Sequence, residues 1–384
     1  MADMSKLKVA ITTHFPLDPN KPKGGVEAVT SILARHLASL PDLEVHVVTL
    51  RPEAKYTELK KMHGFTLHIL PLPRGSALLT AIGTGRRLLC EYLKGLSMDL
   101  VHAHDTYGIM VKGLSLPRVF TVHGFIYGDT LVSGRRFPRL RSLIWKWVET
   151  SAWRDQHRII SISPYVRERL CFFGVAPERI VDIDNPIHEL FFKLEPQPDN
   201  YRLLCCAVIS PRKNTLALIH ALSRLNEKGL KCQLRLAGHV VDSRYYRKLL
   251  SEVQRLGLEE QVNFLGALTS EQIRDELTKA KVFLLVSLEE NSPLVIEEAM
   301  AAGVPVITSN RCGMPYMVSH EETGFLVNPR DVSEIASRIK ELVTDDNLAQ
   351  KMGNMAKKMG KRRFHPQKIA MKTQRVYEET LKKV

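Results

Sequence analysis

Short apolar runs alternate with amphipathic stretches along nearly the whole 384-residue chain, and the rhythm breaks once, at the Pro-rich polar stretch KLEPQPDNY that begins at Lys193. Apolar strands that each lead into a helix build parallel sheets covered by helices on both faces. Before the break the pattern predicts strands at 8–13, 44–50, 66–70, 100–103, 119–122 and 159–162, with helices at 25–40 and 80–96. After it, strands at 203–209, 233–236, 262–265, 282–286, 304–307 and 324–327 alternate with helices at 216–227, 245–255, 270–279, 294–302 and 331–342. The expected fold class is α/β, with two Rossmann-like doubly wound domains facing each other across a cleft lined by their strand ends. A chain of this length exceeds what one hydrophobic core usually serves. The expected division is residues 1–192, a linker at 193–202, residues 203–363, and a last helix at 364–384 that packs back on the first domain.

Hydrophobic residues make up 44% of the chain, enough for two cores. The six cysteines (90, 171, 205, 206, 232 and 312) show neither CxxC spacing nor a partnering His pattern, which argues against a zinc site and a disulfide framework. The start MADMSKLKVAIT lacks the apolar core and cleavage site of a signal peptide, and no apolar run reaches membrane-spanning length. A cytoplasmic location is expected, with membrane association open. The formal charge of +14 is uneven: Lys351 to Val384 holds eleven Lys or Arg against two acids. A second basic cluster, Arg135, Arg136, Arg139, Arg141 and Lys146, interleaves with Leu131, Phe137, Leu140, Leu143, Ile144, Trp145 and Trp147. Such a segment suits either a peripheral contact with an anionic membrane or a buried helix with a solvated basic face. No nucleic-acid-binding module accompanies the charge, so nucleic acid is not an expected partner.

The chemistry concentrates in SLEENSPLVIEEAMAAGVPVIT, Ser287 to Thr308. A strand at 282–286 leads through a loop to a helix, with Ser292 as the expected N-cap and Pro293 at its first position. Gly303 ends that helix and the next strand opens, which puts a ligand crevice at the strand's carboxyl end. A helix start favours phosphate, yet Glu290 and Glu298 lie nearby and would repel it. The two demands are reconciled if each carboxylate accepts hydroxyl hydrogen bonds on either side of a diphosphate, one from a sugar and one from a ribose. That ligand is a nucleotide sugar.

The second half carries LRLAG (234–238), VNFLGAL (262–268), the Glu290-to-Glu298 stretch, CGMPYMV (312–318) and TGFLV (323–327). The first half carries GGVEAV, HAHD, TVHGF and ISISPYVRERL, and the end reads FHPQKIAMKTQRVYEETL. In this order and approximate spacing the motifs resemble the retaining glycosyltransferases of the GT-B fold, the family 4 group, over nearly the whole chain. The resemblance implies an acceptor-binding N-terminal domain and a nucleotide-sugar-binding C-terminal domain. It implies that Glu290 holds a hydroxyl of the donor hexose, Glu298 the ribose, and Lys213 the diphosphate as it leaves. His123 in TVHGF would lie beside the reacting hexose, and His14 faces the same cleft by position. Gly24 and Gly25 would admit phosphate or acceptor to a helix start. Arg212, Leu268, Asn291, Ser292 and Leu294 complete the expected donor set.

The resemblance further implies a hexosyltransferase that takes a UDP- or GDP-sugar, retains anomeric configuration and needs no metal. The only Asp-x-Asp, Asp182-Ile183-Asp184, lies away from the donor motifs. No cofactor is expected, and the acceptor is a small molecule, a glycan or a lipid-linked hydroxyl. The sequence also departs from the family. A usual Gly-Arg five residues before the lysine is Ala207-Val208, which removes one diphosphate cation, and a usual EGFG is Glu290-Asn291-Ser292-Pro293. Arg212 could replace the missing charge, although neighbours in an extended turn point apart. These departures keep open a catalytically impaired GT-B scaffold or binding protein, and a phosphorylase or epimerase on the same fold.

Overall fold

A computed structural model describes residues 6–18, 22–131 and 137–383. The backbone falls into two compact units, one formed by 1–186 together with 366–384 and the other by 187–365. The division therefore lies at Pro186 and Ile187, upstream of the Pro-rich stretch. The reason is packing: Ile187 and Phe191 are buried in the core of the second unit, so that core already begins before Lys193.

In the first unit, strands β1 (Leu7–Thr12), β2 (Leu43–Arg51), β3 (Glu58–Met62), β4 (Phe65–Pro71), β5 (Leu100–His104), β6 (Arg118–Val122), β7 (Arg158–Ser161) and β8 (Ile180–Asp182) form one sheet. Their order is β3-β4-β2-β1-β5-β6-β7-β8. All pairs are parallel except β3 with β4, an antiparallel edge hairpin whose first strand, ELKKM, is too polar for the sequence pattern to flag. Strand side chains alternate between faces. Val9 and Ile11 of β1 therefore join the core on one face while Ala10 joins the core on the other. The expected helix at 80–96 is broken near Gly83 and resumes as Gly85–Gly95.

The second unit holds β9 (Arg202–Cys206), β10 (Gln233–Ala237), β11 (Val262–Gly266), β12 (Val282–Leu285), β13 (Val306–Ser309) and β14 (Gly324–Val327). They run parallel in the order β11-β10-β9-β12-β13-β14. Chain order reverses between β9 and β12 here, and between β1 and β5 in the first unit. At such a switch point the loops leaving adjacent strands diverge, and a crevice opens at the carboxyl ends.

The last helix, Pro366–Leu381, belongs to the first unit, where Ile369, Ala370, Val376 and Tyr377 enter the core with β1 and β2. A buried polar contact ties it to the sheet. The imidazole of buried His102 on β5 lies 2.7 Å from the Tyr377 hydroxyl through Nδ1 and 2.7 Å from Thr121 Oγ1 through Nε2. Burial, with a lesser effect of His123, lowers the His102 pKa to about 3, so the ring is neutral and both nitrogens need a partner. Tyr377→Phe leaves one ring nitrogen unsatisfied at almost constant volume. The expected loss is about 1–3 kcal/mol of stability, measured as a lower urea midpoint; an unmoved midpoint would show that the contact does not hold the helix.

Candidate active site

In the second unit, the loop leaving β9 and the loop leaving β12 carry the charged residues singled out in the sequence. After β9 the chain extends through Ser210 and makes a single 3₁₀ turn, Pro211–Lys213, before Asn214 in the left-handed region (φ 57°) starts the helix Thr215–Asn226. Asn214 Nδ2 donates to Val286 O (3.1 Å) and Pro329 O (2.7 Å), which fastens the turn to the exit of β12. The Leu288 amide donates to Arg212 O at 2.8 Å.

The result corrects one expectation. Arg212 and Lys213 do not point apart; both reach the Glu290 carboxylate. Lys213 Nζ donates to Glu290 Oε1, and Arg212 Nη1 lies 3.1 Å from the same oxygen while donating to Glu289 O at 2.7 Å. The physical reason is the tight turn in place of an extended one, since consecutive side chains of a 3₁₀ turn are only a third of a turn apart and both are long. Two cations against one carboxylate leave net positive charge at the carboxyl edge of the sheet. Val208 sits in the loop directly after β9, and the guanidinium arrives from four residues further on.

The loop 290–293 is braced from behind. The Gly313 amide donates to Glu290 O at 2.8 Å, and a Cβ at Gly313 would fall 1.7 Å from Asn291 O, so only glycine fits there. Gly313 was not among the expected site residues; its signal was the glycine of CGMPYMV. The helix Leu294–Ala302 is capped at Pro293 by backbone alone. Ser292, expected as the N-cap, instead donates its hydroxyl to Glu297 Oε1 at 2.8 Å, because the Glu297 carboxylate is buried beneath it and needs a donor. Leu294 opens the helix, and Leu268 follows β11, half-buried against the core.

Glu298 is half-buried on that helix, and desolvation raises its carboxyl to about 8. Among the described residues its side chain makes no hydrogen bond or ion pair. It is an acid whose environment offers it no donor.

In the first unit, Gly24 stands in extended backbone (φ −167°) before the helix Gly25–Ala38, and no atom lies within 4 Å of where its Cβ would be. Among the described residues, none fills the space beside Gly24 at that helix start. His14 follows β1 as an exposed residue, its Nε2 3.2 Å from Thr106 Oγ1. His123 follows β6. Its Nε2 lies 2.9 Å from Nδ1 of buried His104, the two rings stack at 5.2 Å, and burial lowers the His123 pKa to about 4. His123 also lines a recess with Asp105, Gly124 and Glu149. Burial raises the Glu149 carboxyl to about 8, and it accepts the amides of Ile126 (2.9 Å) and Tyr127 (2.8 Å), which closes the start of the helix Ile126–Leu131. Sequence reasoning passed over Glu149, whose signal was an acid on the core face of a Trp-rich helix. Asp182 of the Asp-x-Asp ends β8 in an ion pair with Arg167 at 3.1 Å.

The raised acid sets a pH dependence. Because the folded value of Glu298 lies above its ordinary value of 4.5, the folded chain holds a proton that the unfolded chain has released between those two pH values. Stability contributed by that proton is full below about 4.5 and declines as pH rises towards 8. Glu298→Gln is expected to flatten the fall in Tm between pH 5 and pH 8, measured by thermal melts across that range. An unchanged slope would mean that the carboxyl titrates normally.

The sequence profile described as "Glycosyl transferases group 1" matches residues 186–359, and the one described as "Glycosyltransferase Family 4" matches residues 23–189. The chain is 26% identical to "MMP alpha-(1->4)-mannosyltransferase" of Mycolicibacterium hassiacum, covering 74% of this chain and 72% of that protein. It is 25% identical to "Uncharacterized glycosyltransferase MJ1178" of Methanocaldococcus jannaschii, over 88% of this chain and 91% of that one. Among solved structures, sucrose-phosphate synthase from Thermosynechococcus elongatus superposes with a TM-score of 0.81 at 20% identity, covering 99% of this chain and 100% of that one. Anabaena HepE in complex with UDP-glucose gives 0.74 at 19%, covering 98% and 100%. With both profiles in chain order, and two parallel sheets whose switch points carry the motif residues, the chain belongs to the GT-B glycosyltransferases of the group 1 and family 4 type.

Proposed function

We propose that the protein transfers a hexose from a nucleoside diphosphate sugar to a hydroxyl acceptor, with retention at the anomeric carbon and without a metal ion. The observation that carries this is the meeting of Arg212 and Lys213 on Glu290 at the switch point of the second sheet. The related proteins support the donor class: one is a mannosyltransferase, and the Anabaena neighbour was solved with UDP-glucose.

When a glycosidic bond to a diphosphate breaks, negative charge builds on the bridging oxygen. Two cations held in place by a carboxylate meet that charge without reorganising, which is where electrostatic catalysis gains most. Glu290 serves twice in this reading, aiming the cations and accepting a hydroxyl of the hexose. Glu298 accepts the ribose hydroxyls, the donors that its surroundings do not supply. Asn291, Ser292 and Leu294 shape the loop and helix start along the diphosphate and sugar, and Leu268 lies beside the base.

We assign His123 the orienting of the hexose, in the neutral form that its burial enforces, and Gly24 and Gly25 an open approach for phosphate or acceptor. Retention follows from front-side attack, in which the acceptor oxygen bonds to the anomeric carbon as the phosphate oxygen leaves and takes the acceptor's proton. The Arg212 and Lys213 charges replace the metal that would otherwise neutralise the diphosphate.

Lys213→Ala is expected to lower kcat about 10²- to 10³-fold with a small change in KM, as loss of one preorganised charge partner does, and Arg212→Ala to act in the same sense. Glu298→Ala should chiefly raise KM for the donor. These are read from initial rates with UDP- and GDP-sugars, with anomeric configuration of the product by NMR and rates repeated in EDTA. Donor binding by calorimetry with no turnover for any sugar would favour the impaired scaffold suggested by Val208, and loss of activity in EDTA would overturn the metal-free reading.

A further inference from the structure

The helix Pro138–Asp155 in the first unit has a well-buried inner face, formed by Ser142, Trp145, Val148, Glu149, Ala152 and Trp153. Its outer face should then be polar. Instead Leu140 is 59% exposed, Leu143 62% and Trp147 72%, with Ile144 between them and Phe137, 69% exposed, at the helix start. These positions recur every three or four residues, so they form one stripe on the side opposite the core. Phe172, 76% exposed, ends the neighbouring helix Pro164–Phe172, and Lys146 lies 5.0 Å over the adjoining Phe173 ring, tying the two helices together.

On this helix the charges that border the stripe have one sign. Arg139 and Lys146 flank it on one side and Arg141 on the other, while both acids of the helix are engaged elsewhere: Glu149 on backbone amides inside, and Asp155 with Arg118 at 3.2 Å at the far end. The residues Arg135 and Arg136 of the basic cluster lie outside the described residues.

We propose that this face docks on the surface of an anionic lipid bilayer, with Leu140, Leu143 and Trp147 entering the headgroup boundary and Arg139 and Arg141 meeting lipid phosphates. Tryptophan with an apolar body and a polar N–H suits that boundary, and basic side chains extend their charges to it. A second copy of the chain fits poorly, because a two-fold contact through the same stripe would set these cations against their own images. A bilayer supplies apolar depth and negative charge together, over the whole length of the stripe.

The test is co-flotation of the full-length protein with vesicles of phosphatidylcholine alone or mixed with phosphatidylglycerol, together with tryptophan emission. Expected are binding to the anionic vesicles, weakened by salt, and a blue shift in emission that Trp147→Phe removes. Because their side chains face away from the core, Leu143→Ser with Trp147→Ser should leave the thermal melt unchanged and lower partitioning at least tenfold. Arg139→Gln and Arg141→Gln should each weaken it about fivefold, the factor that about 1 kcal/mol per basic residue at a membrane surface corresponds to. Failure to float with anionic vesicles, or equal flotation of the Leu143/Trp147 variant, would overturn the proposal. So would a dimer in sedimentation, or binding of poly-glutamate, that the same double variant abolishes, since the stripe would then serve a protein.

Discussion

One carboxylate holding two cations at the carboxyl edge of a parallel sheet organises the second half of this protein. Glu290 draws Arg212 and Lys213 from the loop after β9, and that loop is in turn fastened to β12 by the Asn214 amide. Neither cation would stay near its like-charged neighbour without that acid between them. Because the group is partly buried, the charges interact in a medium less screening than water, which strengthens both the attraction and the consequence of leaving any of them unmatched. The brace from Gly313 explains how a loop without the family's glycines keeps its course, since the close approach is provided by the opposing strand exit and not by the loop itself.

The first half depends on burying neutral imidazoles. His102, His104 and His123 lie in sequence across β5 and the end of β6, the first two with rings 4.2 Å apart and the last two hydrogen bonded. Each is held below its ordinary pKa by desolvation, so the rings meet as neutral donors and acceptors in place of charges. One end is anchored by Tyr377 from the last helix, and the other is His123. A helix that closes the fold and a residue proposed to touch substrate are thus linked through three side chains.

Much of this was legible beforehand. Apolar runs of four to seven residues marked twelve strands because a parallel strand buried on both faces has no other way to be written, and Gly303 marked a helix end that the structure places in the left-handed region at φ 82°. The polar edge strand β3 was not legible, since its exposure removes the pattern on which such reading relies. Ser292 misled for a related reason: the N-cap preference is a local rule, and the buried Glu297 carboxylate offered the hydroxyl a partner worth more than a backbone amide. Glu149 was hidden because an acid within a helix carries no sign of whether it faces water or core.

The sequence by itself determined the α/β class, the two halves, and the identity of the charged residues at the strand ends, because hydrophobic periodicity and turn chemistry are local properties. Only the tertiary structure decided where those charges meet. Arg212 and Lys213 are adjacent in the chain, but their convergence depends on a 3₁₀ turn held by Asn214 and on an acid 77 residues away. The raised carboxyl of Glu298 and the exposed apolar stripe at Phe137 to Trp147 are likewise decided by which face of a helix the rest of the fold covers, and burial is a property of the whole chain's packing, which no local pattern specifies.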